Sequence, residues 1–341
     1  MQRFAISLTP LALLVLAGCQ GAPSTTEPSP LDLSAPPSRS FHIRYVARLE
    51  GLPPGEKLRL WIPVPRNDPH QAIRNLEVDA SWDHEERSDP VHRNRMLYFE
   101  GMTAADEMEV TVEYDVDRWP YLSDLEELET DGTDAPDAVA PFLEPSSLCV
   151  VNDRLATEAA TLSMKRSGSL SKARAFYEHV RGVMSYDKSG TGWGRGDTLY
   201  ACDARRGNCT DYHSYFISLC LAEKIPARFQ IGLYGSYEPL PGVEQKTGSY
   251  HCWAEFRVPG KAWVPVDISE GDKDPARASF LFGNHTDNRV TLSTGRDIVL
   301  SPPQTGPPLN YFVNPYAEVA GRPFDGAEKQ AYWTDERVDW R

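Results

Sequence analysis

Arg205-Arg206-Gly207-Asn208-Cys209-Thr210-Asp211-Tyr212-His213 reads as a turn that runs straight into a helix. Tyr212, Tyr215, Phe216, Leu219 and Cys220 recur at helical spacing, which carries that helix to about Lys224. A thiol at a helix start has its pKa lowered by the dipole and the unsatisfied N–H groups. His251 follows in Ser249-Tyr250-His251-Cys252-Trp253-Ala254-Glu255-Phe256, and Asp267 in Ala262-Trp263-Val264-Pro265-Val266-Asp267-Ile268. Cys, His and Asp in that order supply a soft nucleophile, a general base and a carboxylate to orient the base. Strands are expected over Ala227 to Leu233, Tyr250 to Val258 and Ala262 to Val266. Helices followed by an antiparallel sheet make an α+β domain. Strand alternation sets His251 and Trp253 on one face and Cys252 on the other. His251 and Asp267 fall on neighbouring strands, where they can pair side by side. Singly, each residue has a plain structural role available; the constellation is what points to chemistry.

The chain has 341 residues, 40% of them hydrophobic and 25% charged, with a net charge of −14. That is enough chain for two domains with a substantial core. The acidity argues against nucleic acid, and against charge-driven adhesion to an anionic membrane, as the main partner. Residues 1–18 are a targeting segment: Arg3 is a basic start, Phe4 to Ala17 is nearly all apolar, and Leu16-Ala17-Gly18-Cys19 closes it. The apolar run is short for a membrane span. The closing tetrapeptide resembles the lipobox of bacterial lipoproteins, in which lipid is added to the cysteine, here Cys19. The alternative is a plain secretory signal; either way the protein is exported. Gln20 after the cysteine, by resemblance to sorting in two-membrane bacteria, favours the outer membrane over other destinations facing the periplasm.

Residues 19–40 are rich in Pro, Ser, Thr and Ala and read as a flexible tether. Residues 41–118 read as an antiparallel β-sandwich, with strands at 41–49, 58–65, 95–99 and 108–116. His42, His70, His84 and His92 are scattered through it and are expected to be exposed. Residues 119–148 form an acidic linker, with seven Asp or Glu and no Lys or Arg between 121 and 140. Asp131 and Asp134 hint at a calcium loop but lack the full ligand series, so a solvated linker is the favoured reading. Residues 149–300 form the main α+β domain, with helices from Asn152 through Met164 and from Leu170 to Met184. Tyr186 to Gly196 is a glycine-rich loop without the context of a phosphate-binding fingerprint. Residues 301–341, rich in Pro and aromatics, read as extended chain on the surface of that domain. No metal-ligand spacing appears, and no cofactor is called for. Cys149, Cys202, Cys220 and Cys252 do not form a disulfide framework. A bridge between Cys202 and Cys252 is conceivable, and Cys220 reads as a buried free thiol.

Four segments in order then resemble the transglutaminase-like superfamily, a circularly permuted relative of the papain-like cysteine proteases. They are Arg206-Gly207-Asn208-Cys209-Thr210-Asp211, Ile225-Pro226-Ala227-Arg228, His251-Cys252-Trp253-Ala254-Glu255 and Trp263-Val264-Pro265-Val266-Asp267. The resemblance implies Cys209 as nucleophile, His251 as base and acid, and Asp267 as the orienting carboxylate. It also fits an exported enzyme with an N-terminal β-domain.

The chemistry implied is acyl transfer from a peptide or side-chain amide through a thioester. Arg205 and Arg206 are expected to add positive potential near the thiolate. The Cys209 N–H is a natural oxyanion donor, and Trp193, in the glycine-rich loop, is a candidate for the second. His213, one helical turn after Cys209, is a candidate for supporting the site or touching substrate; helix packing is the plainer role. Water as acceptor makes a protease or amidase, and an amine acceptor makes a protein-glutamine transglutaminase. Hydrolysis is favoured because many bacterial members of the superfamily are thought to hydrolyse. A non-catalytic binding module of the same fold, or a redox thiol protein pairing Cys209 with Cys202 or Cys252, are the other readings. The expected partner is a protein or peptide of the cell envelope.

Overall fold

The structure is a computed structural model and describes residues 38–338. The targeting segment, Cys19 and the tether as far as residue 37 lie outside the described residues. Among the described residues no helix is long and apolar enough to cross a membrane.

Two five-stranded sheets form the β-sandwich. One runs Gln245–Lys246, Ala327–Val338, Arg39–Glu50, Glu107–Arg118, Gln71–Ala80; the other runs Arg322–Phe324, Tyr316–Val319, Lys57–Val64, Arg95–Met102, His84–Ser88. The period-two pattern works as expected. Phe41, Ile43, Tyr45, Ala47 and Leu49 point inward from one strand, and Val110, Val112, Tyr114 and Val116 from its neighbour. They pack against Leu58, Leu60, Ile62, Leu97 and Phe99 of the facing sheet in one buried core.

The sandwich does not end at residue 118. The segment read as surface-packed extended chain supplies Tyr316–Val319, Arg322–Phe324 and Ala327–Val338, which enter both sheets. Arg39 is also part of the sandwich rather than of a tether. It is buried and pairs with Asp335 at 2.8 Å, and Trp333 stacks on Phe41 with ring centroids 3.6 Å apart.

The acidic segment is likewise packed rather than free in solvent. Tyr121–Leu122 pairs with Asn284–His285, Asp131 accepts from the Ser169 N–H at 3.0 Å, and Asp134 pairs with Arg257 at 2.8 Å. Those two carboxylates are therefore engaged in capping and ion pairing. Of the four scattered histidines, His84 is exposed, while His42, His70 and His92 are half-buried, with His70 stacked on Tyr121.

The second unit holds helices Asp153–Ser163, Ser169–Val183, Thr198–Ala204 and Cys209–Ala222 against a four-stranded sheet ordered Trp263–Val266, His251–Arg257, Ala227–Tyr234, Arg289–Thr294. Asn152 caps the first helix by accepting from the Leu155 N–H. The Arg289–Thr294 strand is the fourth, beyond the three read from sequence. Its open edge is covered by two buried amides of the sandwich. Gln71 takes the Thr291 N–H at 2.9 Å and donates to its carbonyl at 3.1 Å; Asn94 does the same for Thr294 at 2.7 and 2.8 Å. These side chains imitate a missing strand and fix the sandwich to the sheet. Gln71→Leu strands three backbone groups, the Thr291 N–H and carbonyl and the Arg66 carbonyl, and removes an acceptor of Arg118, at a cost of about 1–3 kcal/mol for each buried unsatisfied group. Urea unfolding checks this: the midpoint should fall clearly, and an unchanged midpoint would mean the amide is not what closes this edge.

Candidate active site

Cys209 is the first residue of the helix Cys209–Ala222, and the local sequence explains why the helix starts there. Asn208 accepts the Thr210 N–H at 2.9 Å, and the Asp211 carboxylate takes the Asn208 N–H at 2.9 Å in return. Asp211, fully buried, also accepts the Gly194 and Gly196 N–H groups at 2.7 and 3.0 Å. The glycine-rich loop is thus fastened to the helix start. Gly207 is required by the same packing, since a Cβ there would lie 2.3 Å from Asp211 Oδ2.

The structure brings Cys209, His251 and Asp267 together. His251 Nε2 lies 2.8 Å from Asp267 Oδ2, which leaves Nδ1 for the thiol. The two strands are neighbours, but the residues are not cross-strand partners. The register pairs Ala254 with Val266, and Asp267 leaves its strand as the N-cap of the helix Ile268–Lys273, where Oδ1 accepts the Glu270 N–H at 3.2 Å. Asp267 is fully buried, and Arg289 Nη1 donates to its Oδ2 at 3.0 Å.

The electrostatics follow from these contacts. Burial raises the Asp267 carboxyl, but His251 and then Arg289 outweigh it and hold the group well below the usual carboxylate range. Burial lowers His251, yet the Asp267 charge and hydrogen bond, and then the thiolate, raise it to about 9. The Cys209 thiol lies well below the ordinary thiol value, first through a hydrogen bond from the Cys252 thiol and then through His251, against the opposing effect of burial. Both shifts favour a thiolate–imidazolium pair.

The other expectations fare differently. Cys252 does lie on the face opposite His251 and Trp253, but the Cys209 helix packs on that face. The Cys252 thiol is 3.7 Å from His213 Nδ1 and against Cys209. Cys252 is therefore a neighbour of the nucleophile and is not bridged to Cys202; all five cysteines among the described residues are free. Arg206 pairs with Asp187 at 3.5 Å and Arg205 is exposed at the end of the preceding helix, and neither is among the groups that lower the Cys209 thiol. Trp193 donates its indole N–H to the Gly190 carbonyl at 3.2 Å, within its own loop, so in this arrangement it offers no oxyanion donor.

His213 is fully buried and spans the site. Its Nδ1 lies 2.7 Å from the Cys209 carbonyl, and its Nε2 accepts the Ile268 N–H at 3.0 Å. Those partners require a neutral ring protonated at Nδ1. Burial, ahead of all charge effects, lowers its pKa to about 4, in keeping with that form. His213 thus ties the nucleophile's residue to the loop that carries Asp267.

Arg228 and Glu255, from two of the quoted segments, form a cross-strand ion pair. Arg289 is the site residue that the sequence reading missed; nothing in Asn288-Arg289-Val290 distinguishes it from a surface strand residue. Tyr186 and Tyr250 stand beside the thiol; burial pushes up both hydroxyls, followed by the thiolate for Tyr186 and by Tyr311 and then the thiolate for Tyr250. Among the described residues His42, Asp115 and Glu336 could offer ligand atoms to one ion. His42 is already bonded to Asp115 at 2.9 Å, which makes this a surface ion-pair cluster on the sandwich, away from Cys209.

Residues 156–268 match the family model described as the transglutaminase-like superfamily. The chain thus carries a transglutaminase-like domain, set beside an antiparallel β-sandwich. An uncharacterised protein of Haemophilus influenzae is 25% identical over 335 residues, covering 81% of this chain and 84% of that protein. A crystal structure from Cytophaga hutchinsonii, described provisionally as a cysteine protease, is 19% identical and covers 89% of this chain and 92% of its own, with a TM-score of 0.59. That likeness is one of fold. The periplasmic domain of TgpA from Pseudomonas aeruginosa is 18% identical, covers 73% of this chain and 93% of its own, and has a TM-score of 0.39.

Iodoacetamide labelling read at the Cys209 peptide tests the thiolate. Labelling should be fast at pH 6, and His251→Ala and Cys252→Ala should each move its pH midpoint up towards the ordinary thiol value of about 8.5. A wild-type midpoint already near that value, or one that neither substitution moves, would refute the assignment.

Proposed function

We propose that this protein is a thiol acyl-transfer enzyme that acts on peptide or side-chain amides, with water as the usual acceptor. The observation that carries the proposal is the buried chain of Cys209, His251 and Asp267, with 2.8 Å between the imidazole and the carboxylate.

In this reading the Cys209 thiolate attacks the amide carbonyl. The Thr210 N–H is used by Asn208 Oδ1 and the Asp211 N–H by the Asn208 carbonyl, so the Cys209 N–H is the first-turn amide left for the oxyanion. His251 then protonates the leaving amine and, as a base, activates the water that hydrolyses the thioester. Asp267 stays ionised and holds the ring through Nε2. Because the reaction needs the imidazolium as acid, kcat/KM should fall on the alkaline side as His251 titrates near pH 9.

The preference for water over an amine rests on the superfamily resemblance. The targeting segment and Cys19 support export, with a lipid at Cys19 tethering the enzyme to a membrane that faces the periplasm. Proteins or peptides of the cell envelope are then the substrates within reach, and the acidity of the chain speaks against nucleic acid.

Mass spectrometry of envelope peptides, incubated with and without a primary amine, tests the reaction. Hydrolysis yields free acids in both samples. Amine adducts that dominate when amine is present would instead identify a protein-glutamine transglutaminase. No change in any peptide, together with equal probe labelling of wild type and Cys209→Ala, would leave a binding module. Asp267→Asn should lower kcat by about 10³–10⁴ with the fold retained; near-normal turnover would remove Asp267 from the mechanism.

A further inference from the structure

A partly open cavity of about 310 Å³ lies between the β-sandwich and the face of the catalytic sheet opposite the Cys209 helix. That size is at the lower end of small-molecule sites. Its deep wall is polar and incompletely paired. His285, 1% exposed, has no hydrogen-bond partner on either ring nitrogen. Arg118, 2% exposed, donates from Nη1 to Gln71 Oε1 at 3.2 Å but has an unpartnered Nε, and its carboxylate neighbour Asp68 stands 4.0 Å from Nη1. Buried groups of this kind are ordinarily satisfied, and here both line the same space.

The charges sort by depth. Arg228 and Glu255 neutralise one another, and the buried Arg118 has no carboxylate closer than the half-buried Asp68 at 4.0 Å. The rim carries the opposite sign, since Asp124 and Glu127 line the mouth and are exposed. Trp253 and Trp263 add aromatic wall between the two ends.

We propose that this cavity binds a dipeptide-sized zwitterion, with its carboxylate at Arg118 and His285 and its ammonium group at Asp124 and Glu127. The neutral His285 ring offers one N–H to the carboxylate, and Arg118 offers Nε. The site borders the catalytic carboxylate without containing it. His285 packs edge-on to Trp253 at 5.6 Å, and Arg289, the partner of Asp267, lies over Trp253 at 5.0 Å. Nothing in this assignment depends on Cys209 being a nucleophile.

The test is calorimetric titration of the full chain carrying Cys209→Ala, so that binding is read without turnover. The probes are glycylglycine, glycylglycinamide and N-acetylglycylglycine. Glycylglycine should bind with one-to-one stoichiometry, and the amide and the acetylated form should each bind about tenfold more weakly or worse. Arg118→Gln should weaken glycylglycine by a similar factor. Ser123→Trp, which sets a bulky ring at a half-buried lining residue whose hydroxyl has no hydrogen-bond partner to lose, should abolish binding and decides the matter should Arg118→Gln fail to fold. No binding of glycylglycine at millimolar concentration, equal binding of the amide or the acetylated form, or full binding to Ser123→Trp would each overturn the proposal.

Discussion

A carboxylate with no access to water has to be balanced by protein groups alone, and Asp267 is in that position. An uncompensated buried charge costs several kcal/mol, so its partners are set by necessity as much as by chemistry. His251 and Arg289 share one oxygen at 2.8 and 3.0 Å, while the Glu270 N–H and the Ser269 hydroxyl each reach the other at 3.2 Å. Two cationic partners and a helix start together keep the group ionised. The imidazolium of His251 is one consequence of that balance, and the thiolate of Cys209 is supported by the imidazolium in turn.

Keeping these groups in register is the work of elements that do no chemistry. Asp211 fixes the nucleophile's turn by collecting three amide donors, and His213 spans from the Cys209 carbonyl to the Ile268 amide. The sandwich takes part as well. Gln71 and Asn94 hold the edge strand on which Arg289 sits, so a domain without candidate chemistry of its own positions the second partner of Asp267. The sandwich is in turn closed by the C-terminal strands, which links the end of the chain to the order of the site.

What was legible in the sequence was whatever has a short-range signature. The helix beginning at Cys209, the strands with strict alternation, and the order Cys209, His251, Asp267 could be read directly. The strands Gln71–Ala80 and His84–Ser88 were not read: in the first the alternation of Leu76, Val78 and Ala80 is short and follows a register shift between Arg74 and Glu77, and the second is wholly exposed and has no apolar period. The C-terminal strands were hidden by a preceding proline-rich stretch that suggests coil. The contacts of Arg289, Cys252 and His213 depend on which elements pack together, and no local pattern encodes that. Strand alternation placed Cys252 on the correct face; the missing knowledge was that the Cys209 helix covers that face. Arg205 and Arg206 illustrate the converse, since proximity in sequence to the nucleophile did not bring their charges to it.

The central claim is that His251 carries a proton across neutral pH because Asp267 and the thiolate hold it there. Its most direct test is an NMR titration of the His251 ring in the wild-type protein. The account predicts a midpoint of about 9, well above the ordinary histidine value of about 6.5. A midpoint at or below the ordinary value would contradict the account, because His251 would then be neutral beside a neutral thiol and the ion pair on which the site depends would not exist.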